Sequence, residues 1–492
     1  MAISLVPTAS SAISGDPIAS GSICAASSAP LRSPPAVRAV ASYRASFTGG
    51  LKRLQQGAVF PSAYHAHAMT ETCPGHATLL SGMWPAHSGI IANNWFDQSI
   101  ARADKKVYCA EDEKDPASAP GAPVVSAAHL KVPTLGERMK AEWPESRNVA
   151  VSAKDRAVIM MGGHTIDEGY WWKSGAFVTV AGRKLAPEAV AENAAVAALL
   201  KSGAPALDTP TWCTPLERAI KVGDVSIGTD HFALKPGNET QFRTSPRVDA
   251  ATAELALALT DSMALGKGPA PDLLSISFSA TDYIGHAVGT GGVEMCIQMA
   301  ELDRTIGRLL EHLDGLGIDY AVTLSADHGG LDVQERLITQ ALPRATRVSP
   351  DLGSKNLAEA VTKKTGISTP DPLIYADGSF GDLYLSRTLT TIEKDRAVAA
   401  LIEILRAHPQ VAAAFSAAEL AKAPQPTDSP QDWSLLDRAR ASFDEKRSGD
   451  VILLLDRAVV PISVPGLGYT TTHGSAWDYD RRVPMIFWRP GV

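Results

Sequence analysis

The chain has 492 residues, long enough for about three domains or for one large core carrying insertions. Hydrophobic residues make up 45% and charged residues 20%, a globular composition that excludes a disordered chain. Lys plus Arg number 46 against 53 for Asp plus Glu, so the net charge of −7 excludes nucleic acid as a bulk partner, and no apolar run reaches the ~18 residues of a membrane-spanning helix.

Residues 1–42 are dominated by Ala, Ser and Pro, with no basic residue before Arg32 and one acid, Asp16. The basic start and compact apolar stretch of a secretory signal are missing, although the small residues are compatible with export. This segment is expected to be disordered or a mis-specified start. From Tyr43 the pattern turns globular. Leu51 to Gln56 with Gly57 predicts a short helix and its cap, followed by a strand at Ala58-Val59-Phe60. Thr72 then stands ahead of Cys73-Pro74-Gly75-His76. That is either a capped helix or a hydroxyl set at a helix N-terminus, where backbone N–H groups favour a phosphate. Asn148–Ser152 predicts a strand, and Lys154 and Arg156 follow it on alternate positions.

From 162 to 248, Gly, Pro and Trp are frequent and periodicity is weak, so this stretch reads as a cap-like insertion between two parts of the core, 43–161 and 249–492. Asp272–Ser279 predicts a strand, with Asp282 and His286 just beyond it. Val293 to Leu316 carries Met295, Met299, Leu302, Ile306, Leu309, Leu310 and Leu313 at helical spacing. Tyr320–Ser325 predicts a strand leading into Asp327-His328-Gly329-Gly330. A helix follows at Ile392–Leu405, then strands at Asp450–Leu455 and Val483–Trp488, with His473 in a polar, turn-rich segment between them. The strand runs are near-continuous rather than alternating, as in strands covered on both faces. Their alternation with helices predicts an α/β, doubly wound, mostly parallel sheet flanked by helices.

An Asp at a strand end with a His four residues on can put a carboxylate and an imidazole on one ion, or simply cap the next helix. Asp327 and His328 stand where open α/β sheets bind ligands, or else serve turn chemistry. His473 alone carries little. The five cysteines, Cys24, Cys73, Cys109, Cys213 and Cys296, are too few for a disulfide framework or a Cys-rich zinc module, and Cys109 could pair with Cys213 in an oxidising compartment.

Taken together in this order, Thr72-Cys-Pro-Gly-His-Ala-Thr, Gly89-Ile-Ile-Ala-Asn-Asn-Trp, Lys154-Asp-Arg156, Asp282 with His286, Asp327-His328 and His473 resemble the alkaline phosphatase superfamily. Within it the chain resembles the bacterial alkaline phosphatases with a threonine nucleophile, the PhoK and PafA type, which are related to the nucleotide pyrophosphatase/phosphodiesterases. The resemblance implies two zinc ions, one on Asp282, His286 and His473, the other on Asp327, His328 and the nucleophile Thr72. It implies that Asn93, Lys154 and Arg156 bind the phosphate of small-molecule monoesters, and that the protein is periplasmic or secreted. Two ions about 4 Å apart suit in-line displacement with a phosphothreonine intermediate. A sulfatase is excluded, because Cys73 is followed directly by Pro74 with no Arg in the motif.

The family takes a further zinc ligand from an Asp ending the first core strand. Before Glu71 this chain has only Asp16, and residues 31–38, rich in Pro and Arg, support no buried strand. Residues 1–42 are therefore expected not to form that strand, and family chains usually continue past the strand that ends at Trp488. The expected function is a zinc-dependent phosphomonoesterase. The alternatives are a type I phosphodiesterase/nucleotide pyrophosphatase, or a crippled relative that binds zinc and phosphate with little turnover.

Overall fold

The computed structural model describes Ala2–Pro7, as backbone, and residues 45–491. Eight strands form the main sheet: β1 (Ala2–Pro7), β2 (Ala58–Tyr64), β3 (Asn148–Ser152), β4 (Glu168–Lys173), β5 (Ala176–Thr179), β6 (Leu273–Ser277), β7 (Tyr320–Ser325) and β8 (Arg482–Trp488). Their spatial order is β2-β8-β7-β1-β6-β3-β4-β5. β2, β7, β6, β3 and β4 share one direction, whereas β8, β1 and β5 oppose it. The α/β doubly wound core is as expected, but the sheet is mixed, because an apolar run does not encode the direction of its strand.

β3 and β6 are buried at every position, which accounts for their continuous apolar sequence. β2 is the opposite case. It is an exposed edge strand and carries Pro61, which a central strand tolerates poorly. Its partner β8 slips register between Val483 and Met485, where Pro484 has no N–H to give.

β1 corrects the expectation that nothing before residue 43 joins the sheet. It lies in the middle, antiparallel to both neighbours, with Ala2 opposite Ser277 of β6 and Ser325 of β7. A slot between two strands presents unpaired N–H and C=O groups on both sides, and an extended segment satisfies them in either direction. Residues 8–44, with Asp16 and Cys24, lie outside the described residues.

The helices that matter for the site are α1 (Thr72–Ser81), α2 (Asp155–Gly162), α3 (Pro246–Ser262), α4 (Ala280–Val288) and α5 (Val293–Gly315). α5 buries all seven apolar residues predicted to line it. It also buries Asp303, whose carboxylate accepts the N–H groups of Thr48, Gly49 and Leu51 at 2.9, 2.8 and 2.7 Å and so fixes the turn into the helix Gly50–Leu54. A Cβ on Gly50 would lie 2.4 Å from the Ile306 side chain, so the close approach of these two helices requires glycine.

β4 and β5 correct the cap boundary drawn at residue 162, since both extend the main sheet beyond β3. The physical reason is burial: Tyr170, Trp171 and Trp172 pack into the core rather than over it. Gly381–Leu385, Val451–Leu455 and Val411–Ser416, with Ile374–Tyr375, form a separate antiparallel sheet. The strand predicted at 450–455 belongs there. Val451, Leu453 and Leu455 pack on one side with Leu357 and Leu401, and Ile452 and Leu454 pack on the other with Met69 and Phe443. Both faces are covered, as in the main sheet, so sequence could not assign the strand to either.

Disulfides join Cys73 to Cys109 and Cys213 to Cys296, with Cα atoms 6.5 and 5.6 Å apart, so Cys109 and Cys213, which the sequence left free to pair with each other, take other partners. Pairing follows which Cα atoms packing brings within bridging distance, and chain spacing does not report that. Asp303→Ala should leave the Thr48, Gly49 and Leu51 donors unpaired and lower the unfolding free energy by about 3 kcal/mol, read as a lower urea midpoint at unchanged slope.

Candidate active site

β2, β3, β6 and β7 point the same way, so the segments leaving them emerge at one edge of the sheet. Thr72 opens α1 after β2, Lys154 and Arg156 follow β3, Asp282 is in the first turn of α4 after β6, and Asp327 and His328 follow β7. β8 runs in the opposite sense, so the segment ahead of it, with His473, comes to the same edge. Motifs spread over some four hundred residues thereby meet. A crevice at strand ends is the general ligand site of such sheets.

The metal-type ligands centre on Asp282. Its Oδ1 lies 3.4 Å from His286 Nε2, 3.4 Å from His473 Nε2 and 3.8 Å from His328 Nε2. The other ring nitrogens are tied back. His286 Nδ1 is 3.0 Å from the Thr471 carbonyl, and His473 Nδ1 is 2.8 Å from the Thr70 carbonyl. Such backbone bonds fix the tautomer and turn the free nitrogen toward an ion. Burial raises the Asp282 proton affinity, but His286 and Lys154 outweigh it and hold the carboxyl well below its usual range. Burial, then the neighbouring His328, holds His473 well below the ordinary imidazole value. An ionised carboxylate beside the neutral His473 imidazole suits a divalent ion. Among the described residues, Asp282, His286 and His473 are the group whose ligand atoms lie within 4.8 Å of one another.

Asp327 and His328 stand beside them. Asp327 Oδ2 is 3.3 Å from His328 Nε2 and 3.4 Å from His76 Nε2. Burial raises the Asp327 carboxyl, yet His328 and His76 bring it well below the usual range. His328 Nε2 is buried between the two carboxylates and makes no hydrogen bond, while its Nδ1 is held by the Gly329 carbonyl at 2.8 Å. An orphaned ring nitrogen between two acids fits a cation. The strand between β6 and β7 contributes no acid here: β1 reads Ala-Ile-Ser-Leu-Val-Pro, and its first residue, not its last, lies at the site edge.

Lys154 is buried, ion-paired to Asp282, and its Nζ is 3.5 Å from Thr72 Oγ1. Arg156 lies beside Tyr108 and Tyr283. Burial works against its charge, but the two phenols raise its proton affinity, and its Nε is buried without a partner. Asn93 Oδ1 accepts the Cys73 N–H at 2.9 Å, which leaves the Asn93 amide nitrogen as a donor. Pro74 has no N–H, so the Thr72 N–H is the remaining first-turn donor of α1. The structure thus assembles Thr72, Lys154, Asp282, His286, Asp327, His328 and His473, with Asn93 hydrogen-bonded to the turn that carries Thr72. Sequence reasoning missed His76 and Glu71. His76 follows Thr72 by four residues, one helical turn, and that spacing was the available signal.

The type I phosphodiesterase / nucleotide pyrophosphatase family matches residues 38–476. The alkaline phosphatase PhoK of a Sphingomonas species is 46% identical over 454 residues, covering 92% of this chain and 81% of that protein. The alkaline phosphatase PhoD of Zymomonas mobilis is 47% identical over 452 residues, covering 91% and 78%. The crystal structure of the alkaline phosphatase PafA superposes with a TM-score of 0.80 at 22% identity, covering 94% of this chain and 92% of that one, which shows a shared fold.

His286→Ala and His473→Ala should each weaken divalent-metal binding at the Asp282 site by at least about 100-fold in competition with a chromophoric chelator. Thr72→Ala should leave the affinity of that site within about threefold.

Proposed function

We propose a function on the premise that this chain belongs to the type I phosphodiesterase / nucleotide pyrophosphatase family, within the alkaline phosphatase superfamily. The protein is a zinc-dependent phosphate monoester hydrolase, an alkaline phosphatase that works through a covalent phosphothreonine on Thr72. The observation that carries this reading is the buried Lys154 ammonium, which touches both Thr72 and the metal-type ligand Asp282. A cation fixed beside the nucleophile favours a monoester dianion over a diester monoanion.

Zinc ions held by Asp282, His286 and His473, and by Asp327, His328 and Thr72, would lower the proton affinity of the attacking hydroxyl and neutralise the departing oxygen. The residues do the rest. The start of α1 presents Thr72 Oγ1 to phosphorus, the new O–P bond forming as the ester O–P bond breaks in line. Lys154, Arg156, the Asn93 amide and the Thr72 N–H share the non-bridging oxygens as charge builds there. The Thr72 hydroxyl proton passes to solvent, and the leaving alcohol departs with a proton from solvent. Water then attacks phosphothreonine from the opposite side, releasing inorganic phosphate and returning a proton to Thr72. The relatives named alkaline phosphatases support the reaction class, and the His- and Asp-lined crevice supports the metal. Two disulfides support an oxidising compartment, periplasmic or extracellular.

Exhaustive chelation should abolish hydrolysis of an aryl phosphate, and added zinc should restore it. Full activity in the chelated protein would rule out the metal-dependent reading. Replacing both Lys154 and Arg156 by Ala should cut monoester kcat/KM by about 100-fold and diester kcat/KM far less. Equal losses on both substrates would move the assignment to the phosphodiesterase branch.

A further inference from the structure

We propose that Glu71 is a positioning residue that holds Asn93 against the nucleophile turn, a role resting on the function proposed above. Glu71 is the N-cap residue of α1, where an acid ordinarily accepts an N–H of its own first turn. Its side chain makes no capping bond. It reaches the Asn93 backbone, whose N–H donates to Glu71 Oε2 at 2.7 Å. Asn93 performs the capping in its place, its Oδ1 accepting the Cys73 N–H at 2.9 Å. The Asn93 carbonyl accepts the Cys109 N–H at 2.9 Å, and Cys109 is disulfide-bonded to Cys73. Thr72 sits between Glu71 and Cys73, inside this closed circuit.

The circuit decides which end of the Asn93 amide faces the substrate. An asparagine side chain has one acceptor oxygen and an NH2 donor. With the oxygen committed to Cys73, the NH2 is the end left for a phosphoryl oxygen, in register with Thr72. Without Glu71, the Asn93 backbone N–H loses its acceptor, and the backbone that carries the amide is free to shift against α1. An ångström of misplacement in a group that binds the transferring phosphoryl is costly. The interaction requires an acceptor oxygen at the reach of a Glu side chain, which Gln supplies and Ala does not.

The test compares wild type, Glu71→Ala, Glu71→Gln, Asn93→Ala and the Glu71→Ala/Asn93→Ala pair. Three quantities are read: kcat/KM for an aryl phosphate, calorimetric affinity for inorganic phosphate, and melting temperature. Glu71→Ala should lower kcat/KM and phosphate affinity by about 10-fold or more, and Glu71→Gln should recover most of that loss. In the Asn93→Ala background the further effect of Glu71→Ala should fall below about twofold. If Glu71→Ala does not fold, Glu71→Asp replaces it, since the shorter side chain withdraws the acceptor, and the same non-additivity is expected. Losses that multiply in the double variant, or no recovery with Gln, would overturn the role. A wild type that binds phosphate but does not hydrolyse the monoester would sink the proposed function instead, and the phosphate-affinity cycle would still decide Glu71.

Discussion

A half-buried carboxylate at the edge of the sheet governs the arrangement of the site. Asp282 is held ionised by His286, Lys154 and His473, which come from three separate segments of the chain, and His328 stands 3.8 Å away. An unpaired buried charge of this kind would cost several kcal/mol, so partners must be supplied from around it. That requirement explains why the rings are individually anchored. Thr70 and Thr471 lend carbonyls to His473 and His286, and Gly329 lends one to His328. The rings of His328 and His473 stack with centroids 3.5 Å apart, a geometry that disfavours both being charged. An anion ringed by imidazole nitrogens is a donor set that suits a divalent ion.

The turn that carries Thr72 is held by a different device. Thr72 has no freedom to drift, because the residues on both sides of it are bonded to Asn93 and the next residue is cross-linked to Cys109. Lys154 then couples this turn to the Asp282 cluster. The two halves of the site therefore share one cation.

Much of this was legible in the sequence, for identifiable reasons. Near-continuous apolar runs at Asn148–Ser152 and Tyr320–Ser325 marked strands to the residue; the first is buried at every position, and the second keeps only Ala321 and Thr323 half-buried. Ligand-type residues directly after such runs were then placed at the productive edge. Three features depended on tertiary packing. The run at Val451–Leu455 looks like any core strand, but its covering faces belong to a second sheet. Cysteine pairing was set by which segments meet, with Cys296 on α5 joined to Cys213 in a turn. Glu71 gave no signal at all, since an acid ahead of a helix already has a local explanation in capping.

The central slot of the sheet shows why strand pairing and ligand supply are separate demands. β6 and β7 each need a hydrogen-bonding partner along the edge that faces β1, and Ala2–Pro7 meets that need from either direction, since N–H and C=O groups alternate on both sides of any extended chain. A ligand is directional. Only the residue at the end of a strand running with β6 and β7 is delivered to the crevice, and in a reversed strand that place falls to its first residue, here Ala2. The sheet can therefore be complete while the Asp327 and His328 pair, among the described residues, gains no further carboxylate from this strand. The Asp282 set draws nothing from this slot, because its ligands come from α4 and from the segment ahead of β8. The Asp282 set is therefore indifferent to the side chains of the first strand and asks of it only the backbone that completes the sheet.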